Sequence, residues 1–205
     1  MFGWATSGYD HGAVNWQPWS SNLVAKSDPL HYAYGDVSYN LDDLTGQADW
    51  GYNAISNGGN KENIGWHTPS RDDWMYLLFV RNTASGARFA KAVVGGTNGL
   101  VLLPDNWRVA TYQLNSVNNA ELGYNINIIS LSDWQQVLEP LGAVFLPEAG
   151  VRTIDGVFSD AGYYQTSNHA IDKVYQMSFG SECTGLYLAG HRGDGCAVRL
   201  VRDVE

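Results

Sequence analysis

Apolar residues first recur with a helical period after Thr68. Thr68 is a suitable N-cap, and Pro69 fits the first helical position because its missing N–H needs no acceptor there. Asp72 and Asp73 would lie in the first turn, where negative charge favours the positive end of the helix dipole. Residues spaced by three and four then form one stripe: Trp74, Leu77, Leu78 and Arg81. The pattern predicts a helix that ends at segment 82–86.

A second helical pattern begins at Ser132. Ser132 and Gln135 have the spacing of a capping box, in which each side chain binds the backbone N–H of the other residue. The apolar face of this predicted helix comprises Trp134, Val137 and Leu138. Pro140 and Gly142 are expected to close it.

Short apolar or alternating segments predict strands around these helices. Phe89–Val94 and Leu100–Leu103, joined by a turn over Gly95–Gly99, predict a hairpin, and Ala143–Pro147 predicts a short buried strand. Three later segments between glycine-containing turns predict an antiparallel meander: 174–179, 186–188 and 197–201. Short strands combined with two helices place the chain in the α+β class.

Residues 1–64 keep neither a helical nor a strand period for long. Isolated tryptophans occur there among Gly, Asn, Asp and Ser: Trp4, Trp16, Trp19 and Trp50. Each ring can bury about 150–250 Å², so we expect these side chains to hold a loop-rich amino-terminal part against the remaining chain. At 205 residues, we predict a single domain over 1–205. Residues 1–8 lack the basic and apolar stretches of a signal peptide, which leaves the compartment open.

Composition removes several classes of protein. Aromatic residues make up 13% of the chain and charged residues only 16%, which argues against long disorder and against a coiled coil. No apolar run approaches the roughly 20 residues of a membrane-spanning helix. A net charge of −9 without a basic cluster argues against a nucleic-acid partner.

The sequence carries no strong catalytic or metal-binding motif, and we predict neither an enzyme nor a cofactor. Five scattered histidines lack metal-ligand spacing, while Asp42, Asp43 and Asp49 do not match an EF-hand and leave only a structural calcium open. Cys183 and Cys196 form either one disulfide or two separate thiols. A thiol–imidazole pair with a histidine has no local support.

The segment from Tyr163 to Cys196 mixes residue types that do not follow strand patterning. This variety is either ordinary for loops or typical of a binding surface on a rigid scaffold. The candidate ligand-binding residues are Gln165, Thr166, Asn168, His169, Ala170, Ile171, Asp172, Lys173, Glu182, Thr184, Tyr187, Ala189, His191, Arg192, Asp194 and Cys196.

Four motifs resemble those of the formylglycine-generating-enzyme-like superfamily, which has a C-type lectin fold. They are GWHTPSRDDW at 65–74, AVFLPEAGVR at 143–152, GYYQTS at 162–167 and GCAVRLVRD at 195–203. The resemblance implies two helices with short twisted antiparallel strands and long irregular insertions. The enzymes of this group hold copper with a close cysteine pair, a spacing that Cys183 and Cys196 lack.

The resemblance also extends to a second branch, the bacterial and phage variable proteins of diversity-generating retroelements. In this branch, adenine-directed mutagenesis randomises chosen codons of a carboxyl-terminal segment, here 163–200, around constant residues. The implied constant residues are Ser167, Tyr175, Phe179, Leu186, Leu188, Gly195, Val198 and Arg199. We therefore expect a non-enzymatic protein that binds a protein or glycan ligand, on a cell surface or phage particle. The alternatives are an oxidase of the formylglycine-generating kind and a structural surface or pilus-associated module.

Overall fold

In the computed structural model, the described residues are 49, 51, 65–153, 155–170, 173–181, 184–191 and 194–203, with backbone alone for 186–189. They combine two short helices with many short strands, which confirms the α+β class. The tryptophans Trp4, Trp16, Trp19 and Trp50 lie outside the described residues, as do Asp42 and Asp43.

The first helix, α1, spans Arg71–Met75 and continues as a π-helical turn over Tyr76–Val80. Its N-cap is Ser70 and not Thr68, because Ser70 forms a capping box with Asp73. The Ser70 hydroxyl accepts a hydrogen bond from Asp73 N at 3.1 Å, and the Asp73 carboxylate accepts one from Ser70 N at 2.8 Å. The predicted stripe is buried at Trp74, Leu78 and Arg81.

The second helix, α2, spans Leu131–Asp133 and continues through a π-helical turn, Trp134–Leu138, into a 3-10 turn, Glu139–Leu141. Ser130 is its N-cap and accepts from Asp133 N at 3.0 Å, so the predicted cap at Ser132 was two residues late. Trp134 and Leu138 are buried as predicted. Gly142 closes the segment at a φ of 94°, a left-handed conformation that favours glycine.

A four-stranded sheet carries the predicted hairpin. Its strands are β2 (Phe89–Val94), β3 (Thr97–Leu102), β4 (Ile128–Ile129) and β5 (Val144–Pro147). They lie in the order β4-β2-β3-β5, with β4 parallel to β2 and the other pairs antiparallel. The turn is only Gly95–Gly96, both at positive φ, which is the two-residue hairpin that glycine pairs favour.

The strands predicted at 174–179 and 186–188 are confirmed in a three-stranded antiparallel sheet, whose third strand is residues 161–170 and not the predicted 197–201. The strands are β8 (Ala161–Ala170), β9 (Lys173–Gly180) and β10 (Thr184–His191), in the order β10-β9-β8. Two small pairs complete the strands: β1 (Trp66–His67) with β11 (Val201–Arg202), and β6 (Val151–Thr153) with β7 (Gly156–Phe158). The strand predicted at 197–201 is thus replaced by a short bridge at Ala197 and by β11.

One aromatic cluster joins α1 to both larger sheets. The Tyr164 ring stacks on Phe179 at 5.9 Å between centroids and meets the edge of Trp74 at 6.3 Å. Phe89 and Leu100 of the four-stranded sheet belong to the same cluster. Because all these side chains are buried, one half of the meander is fixed in the core while its other half extends past the start of α1.

Candidate functional site

The two ends of strand β9 have different surroundings on the same face of the sheet. Alternate residues of a strand share a face, so Lys173 and Tyr175 follow Met177 and Phe179 along one line. Met177 and Phe179 are fully buried beneath α1, whereas Lys173 and Tyr175 are only partly buried. The polar pair therefore occupies the end of the sheet that the core does not cover.

We call this end the polar end of the meander. It is defined by partly buried residues of three strands: Ser167, Asn168, His169, Ala170, Lys173, Tyr175 and His191. Cross-strand pairing brings them together, because Lys173 lies opposite Ala170 on β8 and opposite His191 on β10. Four of the residues selected from the sequence thus lie together, namely Asn168, Ala170, Lys173 and His191, whereas His169 pairs with Val174 and faces the other side of the sheet.

Lys173, His191 and Asp194 form the charged centre of the polar end. Lys173 Nζ lies 2.9 Å from His191 Nε2 and 3.1 Å from Nδ1. An ammonium group only donates hydrogen bonds, so this contact requires an unprotonated ring nitrogen as acceptor. The Asp194 carboxylate accepts a hydrogen bond from His191 N at 2.8 Å. The cluster offers an ammonium and an imidazole to a ligand while Asp194 secures the strand end.

The pKa of Asp194 is raised from its ordinary value. Burial is the largest cause, since Asp194 is only 8% exposed and desolvation disfavours the charged carboxylate. The bond from His191 N and the charges of His191 and Lys173 lower the pKa, and the charge of Asp155 raises it. Burial outweighs the neighbouring donors, so this carboxylate titrates above the range of an exposed aspartate.

Helix α1 contributes Arg71 to the polar end, a residue that the sequence did not select. Arg71 N donates to Asn168 Oδ1 at 2.6 Å, and its guanidinium carbon lies 5.2 Å from the centroid of the Tyr175 ring. Ser167 N also donates to Pro69 O at 3.0 Å. These contacts join residues about a hundred positions apart, so no local pattern could reveal them.

Four of the selected residues lie inside the fold and not on its surface. Gln165, Thr166 and Cys196 are 0% exposed, and Asp194 is nearly as buried. Gln165 N donates to Ala197 O and Ala197 N donates to Tyr163 O, both at 2.9 Å, because the segment around Ala197 pairs in parallel with the edge of β8. These four side chains are too buried to contact a large ligand, and they instead support the strands that carry the exposed residues.

Several buried polar groups contact one another beneath the site. Thr166 Oγ1 donates to Tyr175 O at 2.9 Å, and Gln176 Nε2 donates to Cys196 Sγ at 3.1 Å. Gln165 Nε2 lies 3.4 Å from Asp194 O. Such contacts hold the strands in register, because a buried polar group without a partner is costly.

The remaining selected residues do not join the polar end. Thr184 pairs with Phe179, at the far end of β10 from His191, so about 23 Å of strand separates Thr184 from the charged centre. Tyr187 and Ala189 are described by backbone alone, within β10. Outside the described residues lie Ile171, Asp172, Glu182 and Arg192.

Cys196 is a free thiol in the interior. Burial raises its pKa well above the ordinary value, and the charge of Asp194 adds to this shift. Cys183 lies outside the described residues. Within the described ranges, no three or more His, Cys, Asp or Glu side chains converge as metal ligands.

Asp49 fixes the chain before α1. It is 6% exposed, and both carboxylate oxygens lie 3.0 Å from Thr68 N, while Oδ1 accepts from Gly51 N at 2.6 Å. Burial raises its pKa, and the bonds from Gly51 and Thr68 partly offset this effect. The carboxylate thus acts on the backbone that leads into Ser70 and the helix.

No helix in the described part of the chain has the length and apolar character to cross a membrane.

Comparison with known proteins identifies no relative: no family model, curated protein or solved structure matches the chain.

Proposed function

We propose that this chain is a non-enzymatic ligand-binding protein. It displays a diversified surface on a C-type lectin scaffold, as a variable protein of a diversity-generating retroelement. The observation that carries the proposal is the polar end of the meander, where partly exposed polar side chains stand on a sheet fixed by a buried core. Binding residues concentrate on such surfaces because a rigid scaffold lowers the entropy lost when the ligand is bound.

The distribution of burial supports a division into variable and constant positions. Lys173, His169 and His191 are partly exposed, so other side chains can replace them with little effect on the core. Phe179 is fully buried in the aromatic cluster, as expected of a constant position. At the polar end, Lys173 and His191 are thus open to change, whereas the resemblance marks Ser167 and Tyr175 of the same surface as constant.

The arrangement of elements supports the C-type lectin scaffold. Two short helices lie among short antiparallel strands, and long irregular segments connect them, as the resemblance implies. Segments 65–74 and 162–167, which carry two of the four resembling motifs, are joined through Ser167 and Pro69. A shared fold of this kind would still leave function to the site.

The state of Cys196 supports a non-catalytic role. A copper ligand or nucleophile acts as a thiolate, whereas burial keeps the Cys196 thiol protonated and Gln176 is bonded to its sulfur. The thiol therefore packs in the interior, where its sulfur accepts a hydrogen bond from Gln176.

The genomic locus provides the decisive test of diversification. We expect a near-copy of the DNA that encodes residues 163–200, differing at adenines, beside a reverse-transcriptase gene. The differences should fall on codons of the polar end, such as those of His169, Lys173 and His191, and avoid the codon of Phe179. A locus with neither the near-copy nor the reverse transcriptase would refute diversification.

Binding itself is tested by a display library that varies only residues 168–170, 173 and 191. Library members should keep the thermal stability of the parent, and selection against a single immobilised protein should enrich binders with altered residues at these positions. A matched library at Gln165, Thr166 and Gln176 should lose folded members. Equal tolerance in both libraries would contradict the proposed division.

A further inference from the structure

The Arg71 guanidinium and the Tyr175 ring lie together, although the two residues are far apart in sequence. The guanidinium lies over the ring at 5.2 Å, within the distance of a cation–π contact, and Arg71 is exposed. None of the described carboxylates forms an ion pair with Arg71. The ring therefore holds the guanidinium near the polar end while the Arg71 side chain stays exposed.

Lys173 supplies a second cation on the same face of β9. Lys173 and Tyr175 are alternate residues of the strand, so their Cα atoms are about 6.6 Å apart. The Lys173 ammonium contacts His191, and no described carboxylate lies within ion-pair distance of it. Arg71 and Lys173 thus place two cations at the polar end, one over Tyr175 and one beside His191, on a protein whose net charge is −9.

We propose that the polar end binds an extended acidic peptide through Arg71 and Lys173. One carboxylate would meet the guanidinium fork of Arg71, which matches a carboxylate in a planar, two-bond geometry. A second carboxylate of the same peptide would meet the Lys173 ammonium, which stands beside His191 on the neighbouring strand. This inference rests on the proposed function and names the ligand class of that same site.

The two cations differ in how they relate to diversification. Arg71 lies outside segment 163–200, and the resemblance marks Tyr175 as constant, so their contact would persist in every variant. Lys173 and His191 are among the positions open to change. The constant pair therefore anchors an acidic group, and the variable residues set the preference for its neighbours.

The test uses the full chain and the peptide acetyl-Gly-Glu-Gly-Glu-Gly-amide, titrated by calorimetry or NMR at low ionic strength. We expect binding that weakens with added salt, since exposed charges are screened. Arg71→Gln should reduce affinity about tenfold, as for loss of a charge-assisted bidentate pair, and Arg71→Lys should reduce it less. Arg108→Gln, at another exposed arginine, is the matched control and should bind like the parent.

Several results would overturn the inference. These are no binding of the glutamate peptide, equal binding of the glutamine analogue, or unchanged affinity in Arg71→Gln. Binding of oligogalacturonate in place of the peptide would do the same, since it would assign the site to carboxylated glycans. Thermal melts of Arg71→Gln separate lost binding from lost folding. If selected library members bind a protein through residues 173 and 191 without Arg71, the proposed function stands and this inference fails.

Discussion

His191 and Asp194 bind each other twice at the end of strand β10. His191 N donates to the Asp194 carboxylate at 2.8 Å, and Asp194 N donates to His191 O at 3.0 Å. The reciprocal bonds fix the position from which the His191 ring reaches Lys173. Asp194 thus positions His191 at the polar end although its own side chain is buried.

Asp194 should make stability depend on pH. Its pKa is raised in the folded state, chiefly by burial, so the folded protein retains this proton at a pH where the unfolded chain has lost it. Its contribution is therefore most favourable below the unfolded pKa and declines as pH rises through the folded pKa. Asp194→Asn keeps an acceptor for His191 N and should flatten this decline, measured as Tm against pH from acid to neutral.

Burial also raises the pKa of Asp49, so Asp49 likewise contributes a loss of stability as pH rises. The comparison of Asp194→Asn with the parent isolates the Asp194 share. An unchanged slope of Tm against pH in Asp194→Asn would contradict the prediction.

Gly162 should not tolerate a side chain. A Cβ at this position would lie 2.3 Å from the Phe179 ring, and the ring is held between Tyr164 and the core. Gly162→Ala should lower stability by about 1–3 kcal/mol, the cost of overpacking a filled core. Denaturant unfolding measures this change. Gly123→Ala is the control, because Gly123 has a φ of −70° and the nearest atom to its added Cβ is Asn125 Oδ1 at 3.3 Å.

Two serines near the start of α2 should respond differently to alanine. Ser130 accepts a hydrogen bond from Asp133 N, so Ser130→Ala should cost about 1 kcal/mol of unfolding free energy. Ser132 is exposed and lies within the helix, so Ser132→Ala should change stability by less than about 0.5 kcal/mol. Urea melts of both variants decide the point, and a larger loss at Ser132 would show that the helix begins two residues later.

The Cys196 thiol should be inert in the folded protein. It is fully buried and its pKa is raised, so little thiolate forms and reagent cannot reach the sulfur. In a Cys183→Ser variant, a disulfide-forming colour reagent should label Cys196 only after denaturant is added. Immediate stoichiometric labelling of the native variant would contradict the buried position.

Local patterns were sufficient for the elements but not for their first residues. The periods around Trp74 and Trp134 predict both helices, and Gly95–Gly96 marks the hairpin. Each cap lies two residues from its predicted place. Serine and threonine cap helices in a similar way, so the available partner decides which of them becomes the N-cap. Ser70 forms a capping box with Asp73, whereas the N–H of Thr68 donates to Asp49.

The sequence by itself determined the α+β class and two strands of the meander, because these follow from the spacing of apolar residues along the chain, but it did not reveal strand β8. Only the tertiary structure decided which polar residues face solvent. Gln165 is buried because the distant segment 194–197 lies along the edge of β8 and brings Asp194 O to 3.4 Å from its side chain, and Arg71 reaches Tyr175 because α1 packs on that sheet. Both contacts join residues far apart in sequence, where side-chain type alone carries no information on the partner.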